Sequence, residues 1–183
     1  MKKVFFGGSR KLGKLNHSIR ERTDNIMSQN YIVLLGDANG ADKAMQEYLA
    51  EKQYTQVLVF CSGNTCRNNM GNWPIRYIAS DRAQKDFQHY AIKDKKMSEE
   101  ADYGFMLWDG KSKGTLNNIL NLIEDKKSVL VYFSPKKKFF TLKSEPDVAG
   151  LLEVCEPRSI ELFEKTLHLN QRLNLDNSHL HFA

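Results

Sequence analysis

Three short segments of the chain combine glycine with polar and charged residues: Gly7-Gly8-Ser9-Arg10, Gly36-Asp37-Ala38-Asn39-Gly40-Ala41-Asp42 and Gly110-Lys111-Ser112-Lys113-Gly114-Thr115. Glycine lets a backbone approach a ligand closely and accept positive φ. Arg10 can pair bidentately with a phosphate or carboxylate, Ser9, Ser112 and Thr115 bring hydroxyls, and Lys111 and Lys113 add charge. Asp37, Asp42 and Asp109 are suited to ribose hydroxyls, and Asp37 and Asp109 are the candidates for a catalytic carboxylate. Each aspartate also fits a turn or a helix cap, and for Asp42 capping is the expected role.

Other chemistries are disfavoured. No G-x-G-x-x-G fingerprint follows the first apolar run, and the Gly110 to Thr115 segment lacks the lysine that a P-loop places directly after its last glycine. An NAD(P) oxidoreductase and a P-loop NTPase are therefore not expected, and no cofactor is expected. Among His17, His89, His168, His179 and His181 only the last two are closely spaced, so no metal site is predicted. Cys61, Cys66 and Cys155 form no even disulfide framework and are expected to be free thiols.

The elements that must position these segments follow from the hydrophobic pattern. Lys3 to Phe6, Tyr31 to Leu35, Gln56 to Cys61, Tyr103 to Trp108 and Ser128 to Phe133 read as apolar strands, and Phe139 to Lys143 is a candidate for an extra one. Between them, Leu15 to Ser28, Ala41 to Lys52, Asp81 to Glu100 (capped by Asp81) and Leu116 to Glu124 read as helices. Val148 to Cys155 and Ser159 to Leu173 continue in helix, and Asp176 to Ala183 reads as a frayed tail. Ser62 to Ser80, dense in Gly, Asn and Pro, is predicted to be a long loop.

Apolar strands alternating with amphipathic helices predict an α/β fold, a Rossmann-like three-layer sandwich with a mainly parallel sheet of five or more strands. Residues 1–155 are expected to form this domain, with 156–183 as a C-terminal helix and tail packed on it or extending from it. In such a sheet, ligands bind beyond the carboxyl ends of the strands. All three glycine segments follow strands, so they are expected to share one edge.

The composition, with 41% hydrophobic and 27% charged residues over 183 positions, is that of an ordinary globular chain. The apolar start is too short for a secretory signal and no run is long enough to cross a bilayer, so a cytoplasmic location without a membrane partner is expected. The net charge of +5 is spread over scattered lysines interleaved with acids. That pattern suits a solvated surface and a phosphorylated small ligand better than a continuous nucleic-acid face.

On the glycine segments, on Met97 to Asp102 and on Trp108 to Thr115, the chain resembles the SLOG superfamily of Rossmann-like nucleotide-binding proteins over about residues 3 to 133. That superfamily includes LOG phosphoribohydrolases, lysine-decarboxylase-like proteins and DNA-processing protein A, and Gly36 to Asp42 is close to the pattern of its YspA-like branch. The resemblance implies nucleotide binding and, from the habits of relatives, a homodimer. Compared with LOG enzymes, Gly114-Thr115 is retained, Asn117 and Asn118 stand at the two glutamate positions, and Lys93 stands where an arginine precedes Met97 by four residues. Lys93 thereby joins the ligand-binding candidates. An amide cannot replace a carboxylate as general base.

The leading expectation is thus binding of a nucleotide or nucleotide-derived phosphorylated small molecule, in a sensing role. A nucleotide N-glycosidase of the phosphoribohydrolase type, using Asp37 or Asp109, is the second reading. A DNA-binding protein akin to DNA-processing protein A is the third.

Overall fold

The computed structural model describes residues 1–79 and 87–174. The expected capping Asp81, the first turns of its helix, and the tail with His179 and His181 lie outside the described residues.

Seven strands form one sheet: β1 (Lys3–Gly8), β2 (Ile32–Gly36), β3 (Val57–Ser62), β4 (Ile75–Ile78), β5 (Tyr103–Trp108), β6 (Val129–Phe133) and β7 (Lys138–Leu142). Their spatial order is β4-β3-β2-β1-β5-β6-β7. All neighbouring pairs are parallel except β6 with the edge strand β7. The helices are α1 (His17–Ser28), α2 (Ala41–Glu51), α3 (Phe87–Glu100), α4 (Lys113–Glu124), α5 (Glu145–Leu152), α6 (Pro157–Leu167) and the single turn α7 (Leu169–Arg172).

The central strands are apolar on both faces because helices cover both. Val4, Phe6, Val33, Leu35, Val59, Phe105 and Leu107 pack with Ile19 and Ile26 of α1 and with Met45 and Leu49 of α2. The alternate residues Phe5, Leu34, Phe60, Met106 and Trp108 pack with Met97 of α3, with Leu116 and Leu120 of α4, and with Val148, Phe163 and Leu169 of the C-terminal helices. The period-2 alternation of a strand divides one apolar run between two cores.

Two sequence expectations change. Within the predicted loop Ser62 to Ser80, Ile75–Ile78 is a strand that pairs in parallel with β3, from Val59 opposite Ile75 to Ser62 opposite Ile78. It is an edge strand of four residues, half exposed, so it lacks the continuous apolar run that marks its buried neighbours. The cysteines also differ from expectation: Cys61 and Cys66 are joined in a disulfide, and Cys155 is the free thiol. A turn at Gly63, with φ of 72°, folds the chain back so that the two Cα atoms lie 5.2 Å apart, within disulfide reach.

The connections determine where a crevice opens. From β1 the chain steps outward through β2 and β3 to β4, then returns to place β5 on the other side of β1. The strand order therefore reverses between β1 and β5, and their carboxyl ends diverge into loops running in opposite directions. No helix among the described residues is long and apolar enough to cross a membrane.

Candidate functional site

The loop after β1 and the loop after β5 are tied together at that reversal. The backbone N–H of Ser9 donates to the carbonyl of Leu107 at 2.9 Å, and the Ser9 hydroxyl donates to Asp109 Oδ2 at 2.8 Å. Asp109 Oδ1 accepts from the backbone N–H groups of Lys111 and Ser112 at 3.0 and 2.7 Å. The carboxylate expected to meet ribose or to act in catalysis is thus engaged as a strut between two loops. Ser112 caps α4, its hydroxyl accepting from the N–H of Thr115.

The loop after β2 closes against the first. The carbonyl of Ser9 accepts from the N–H of Ala41 at 3.2 Å. Gly40 holds φ of 82°, and a Cβ there would meet the carbonyl oxygen of Arg10 at 2.2 Å, so glycine is required at this position. Gly8 is packed as closely, with a Cβ coming within 2.7 Å of both Ala41 Cβ and the carbonyl of Leu107.

A cavity of about 480 Å³ opens between these loops and α3. Of the residues expected from sequence, Gly7, Gly8, Ser9, Arg10, Gly36, Ala38, Asp42, Lys93, Asp109, Lys111, Ser112, Gly114 and Thr115 line it. Asp37, Gly40, Gly110 and Lys113 do not. Gly40 and Gly110, both at positive φ, shape the turns behind the surface, and Lys113 lies over the ring of Phe87 at 4.1 Å.

Asp37 is turned to a different partner, Arg67 of the long connection after β3. Arg67 donates Nε to Asp37 Oδ2 at 3.0 Å and Nη2 to Oδ1 at 2.7 Å. Burial would raise the Asp37 pKa, but the hydrogen bonds from Arg67 outweigh it and hold the carboxyl below its usual value. Arg67 then reaches the cavity wall, where its guanidinium and that of Arg10 lie 5.0 and 5.3 Å from the ring centre of Tyr90.

Below the mouth, where Arg10, Lys11 and Lys111 are exposed, sits a charged group made of the buried Asp42 and Lys93 and the partly buried Asp94. Lys93, only 4% exposed, pairs with Asp94 at 2.8 Å. Burial would lower the Lys93 pKa, yet Asp94 and Asp42 raise it above the ordinary lysine value. Asp42 does not cap α2, contrary to expectation, because Gly40 holds the cap position and makes no side-chain cap bond. The Asp42 carboxylate instead accepts one long bond, 3.3 Å from the N–H of Ala38, and burial pushes its pKa up to about 7. Gly36 makes this possible: a Cβ there would lie 2.4 Å from Asp42 Oδ2 and 2.8 Å from Lys93 Nζ.

Of the two asparagines at the glutamate positions of the resemblance, Asn118 lines the cavity and Asn117 does not. Asn117 accepts from Arg172 at 2.8 Å and belongs to the contact between α4 and the C-terminal turn. The Oδ1 of Asn118 is buried without a hydrogen-bond partner among the described residues. Lining residues that the sequence reading missed are Phe5, Lys11, Arg67, Phe87, Tyr90, Ala91, Asp94 and Asn118. The helical period through Lys93 would have found Tyr90 on the same face of α3, whereas nothing local marks Arg67.

The architecture is shared with a solved structure, DNA processing protein A from Helicobacter pylori, described for its single-stranded DNA binding mode. The TM-score is 0.54 at 15% identity, over 71% of this chain and 64% of that one. The fold is Rossmann-like. This Rossmann-like domain therefore spans less than two thirds of that neighbour, and at this identity the likeness speaks for fold alone. No protein-family model matches the chain. Nor does any curated protein match it.

Proposed function

We propose that the domain binds a nucleotide or nucleotide-derived phosphorylated ligand in the cavity between β1 and β5. The observation that carries this reading is the convergence of Arg10, Lys11, Arg67, Lys93 and Lys111 on one cavity against Asp42, Asp94 and Asp109. Lys93 is paired with Asp94, Arg67 with Asp37 and Lys111 with Glu156, and Asp109 is held by loop N–H groups, so among the described residues Arg10 and Lys11 are the lining cations without an ion pair, both exposed at the mouth. The first turn of α4 adds orphan N–H groups beside Gly114, where no side chain intervenes, and a phosphate gains from both the donors and the helix dipole. Asn118 Oδ1 offers an acceptor for a hydroxyl or amine of the same ligand.

The reading favours binding over hydrolysis. Both carboxylates considered for catalysis are committed elsewhere, Asp37 to Arg67 and Asp109 to the loop strut. A panel of AMP, ADP, ADP-ribose and related nucleotides in a thermal-shift assay tests the proposal, with a rise in melting temperature expected for at least one. Incubation of the binders followed by assay for free base separates binding from N-glycoside cleavage, and no base release is expected.

A second reading, binding of single-stranded nucleic acid, is favoured by the fold neighbour's DNA-binding mode. It predicts an affinity for an oligonucleotide that falls steeply with salt. A mononucleotide that binds as well as the oligonucleotide contradicts it.

A further inference from the structure

At the base of the cavity and just behind it, three carboxylates stand against two cations. Asp37 is taken by Arg67 and Asp94 by Lys93, each pair in direct contact. Asp42 is the carboxylate left over: among the described residues it makes no ion pair within 4 Å and accepts one long backbone bond. The charged groups facing it are Lys93 and Asp94 from α3, Asp37 from its own loop, and Arg67 from the long connection. Asp42 nevertheless lines the same cavity as Arg10 and Lys111 and is only 8% exposed.

A phosphate entering this cavity brings negative charge toward a buried carboxylate that has no cation of its own. Like charges at short range in a water-poor site are strongly unfavourable. Lys93 cannot relieve this fully, since its Nζ is already committed to Asp94. Protonation of the odd carboxylate removes the repulsion and turns Asp42 into a hydrogen-bond donor toward the cavity.

We propose that the cavity takes up its phosphorylated ligand together with a proton, and that Asp42 is the group that accepts it. The proton comes from solvent, and no bond of the ligand is made or broken. Ligand affinity is then linked to pH through the neutral form of Asp42, whose burial already favours that form near neutrality. This proposal rests on the phosphate-binding reading of the cavity.

Calorimetric titration of the full chain with AMP between pH 7 and 9 tests it, in buffers of differing ionisation enthalpy. That range lies above the second ionisation of the phosphate, near pH 6. Expected is net proton uptake at pH 8 and affinity falling by up to about tenfold per pH unit, the slope for one linked proton. The Asp42→Asn variant, neutral at every pH, should bind AMP with little pH dependence and at least as tightly as wild type at pH 8. AMP binding without proton uptake in the wild type overturns the proposal while leaving the phosphate site standing. No AMP binding at any pH overturns it as well, and other nucleotides in the thermal-shift panel then decide whether the phosphate site falls with it.

Discussion

Arg67 and Asp37 meet side-on, with both oxygens of a buried carboxylate gripped by one guanidinium at 3.0 and 2.7 Å. The backbone N–H of Arg67 adds a third bond to the same carboxylate at 3.1 Å. This contact pins the long connection after β3 against the loop after β2 and so carries Arg67 to the cavity wall. Arg67→Ala leaves a buried carboxylate without its cation. Because the Arg67 side chain is 39% exposed, solvent moderates the cost, and a loss of about 1–3 kcal/mol is expected in urea denaturation at pH 7.

The same pair gives acid sensitivity. Asp37 has a folded-state pKa below its unfolded value of 3.8, so its contribution is complete above that value and is lost as pH falls through the folded pKa. In Asp37→Asn the decline in stability below pH 4 should be shallower than in wild type. Melting temperatures measured from pH 7 down to pH 2 for both proteins check this.

Asp42 has the opposite sign. Its folded pKa is raised from 3.8 to about 7, so folding favours the protonated form and stability is lost as pH rises between those two values. Asp42→Asn should therefore be more stable than wild type at pH 8, by roughly 1–4 kcal/mol on a conversion of 1.36 kcal/mol per pKa unit. The gain should vanish below pH 4, and denaturant melts at pH 3.5 and pH 8 measure both ends.

How far these features were legible in sequence differs by scale. The strands β1, β2, β3, β5 and β6 and the convergence of the glycine segments follow from apolar runs broken by glycine, which is local information. β4 escaped because an exposed edge strand of Ile75–Ile78 carries no buried run, and its turn-forming neighbours looked like loop. The pairing of Asp37 with Arg67 and the exposure of Asp42 to Lys93 instead of to a helix cap join residues 30 and 51 positions apart. Residue type alone does not specify such contacts. A rule of thumb that aspartate at a helix start is a cap failed at Asp42 because Gly40, at positive φ, had already turned the chain.

Glycine at position 40 is a backbone requirement. Gly40→Ala combines φ of 82° with a Cβ 2.2 Å from the carbonyl oxygen of Arg10, and a loss of about 2 kcal/mol or more is expected in denaturant melts. Gly114→Ala, where a Cβ meets nothing within 4 Å, should leave stability near wild type and serves as the control.

Phe163 of α6 is fully buried in the same cluster as Trp108 and Leu120. Phe163→Ala should cost about 3–5 kcal/mol and broaden no separate transition if the C-terminal helices melt with the sheet. Coincident far-UV and tryptophan-fluorescence melts read this directly.

The most direct test of the central claim is nucleotide binding to wild type and to Arg10→Ala, followed by thermal shift. Arg10 is exposed at the mouth of the cavity, with its guanidinium over Tyr90, so its removal should leave the fold intact. At a hundredfold excess over Kd, a nucleotide from the panel should raise the wild-type Tm by about 5–10 °C, and Arg10→Ala should need at least about tenfold more ligand for the same shift. A panel that leaves the wild-type Tm unchanged, or a shift that Arg10→Ala reproduces in full, contradicts a phosphate site built from these loops.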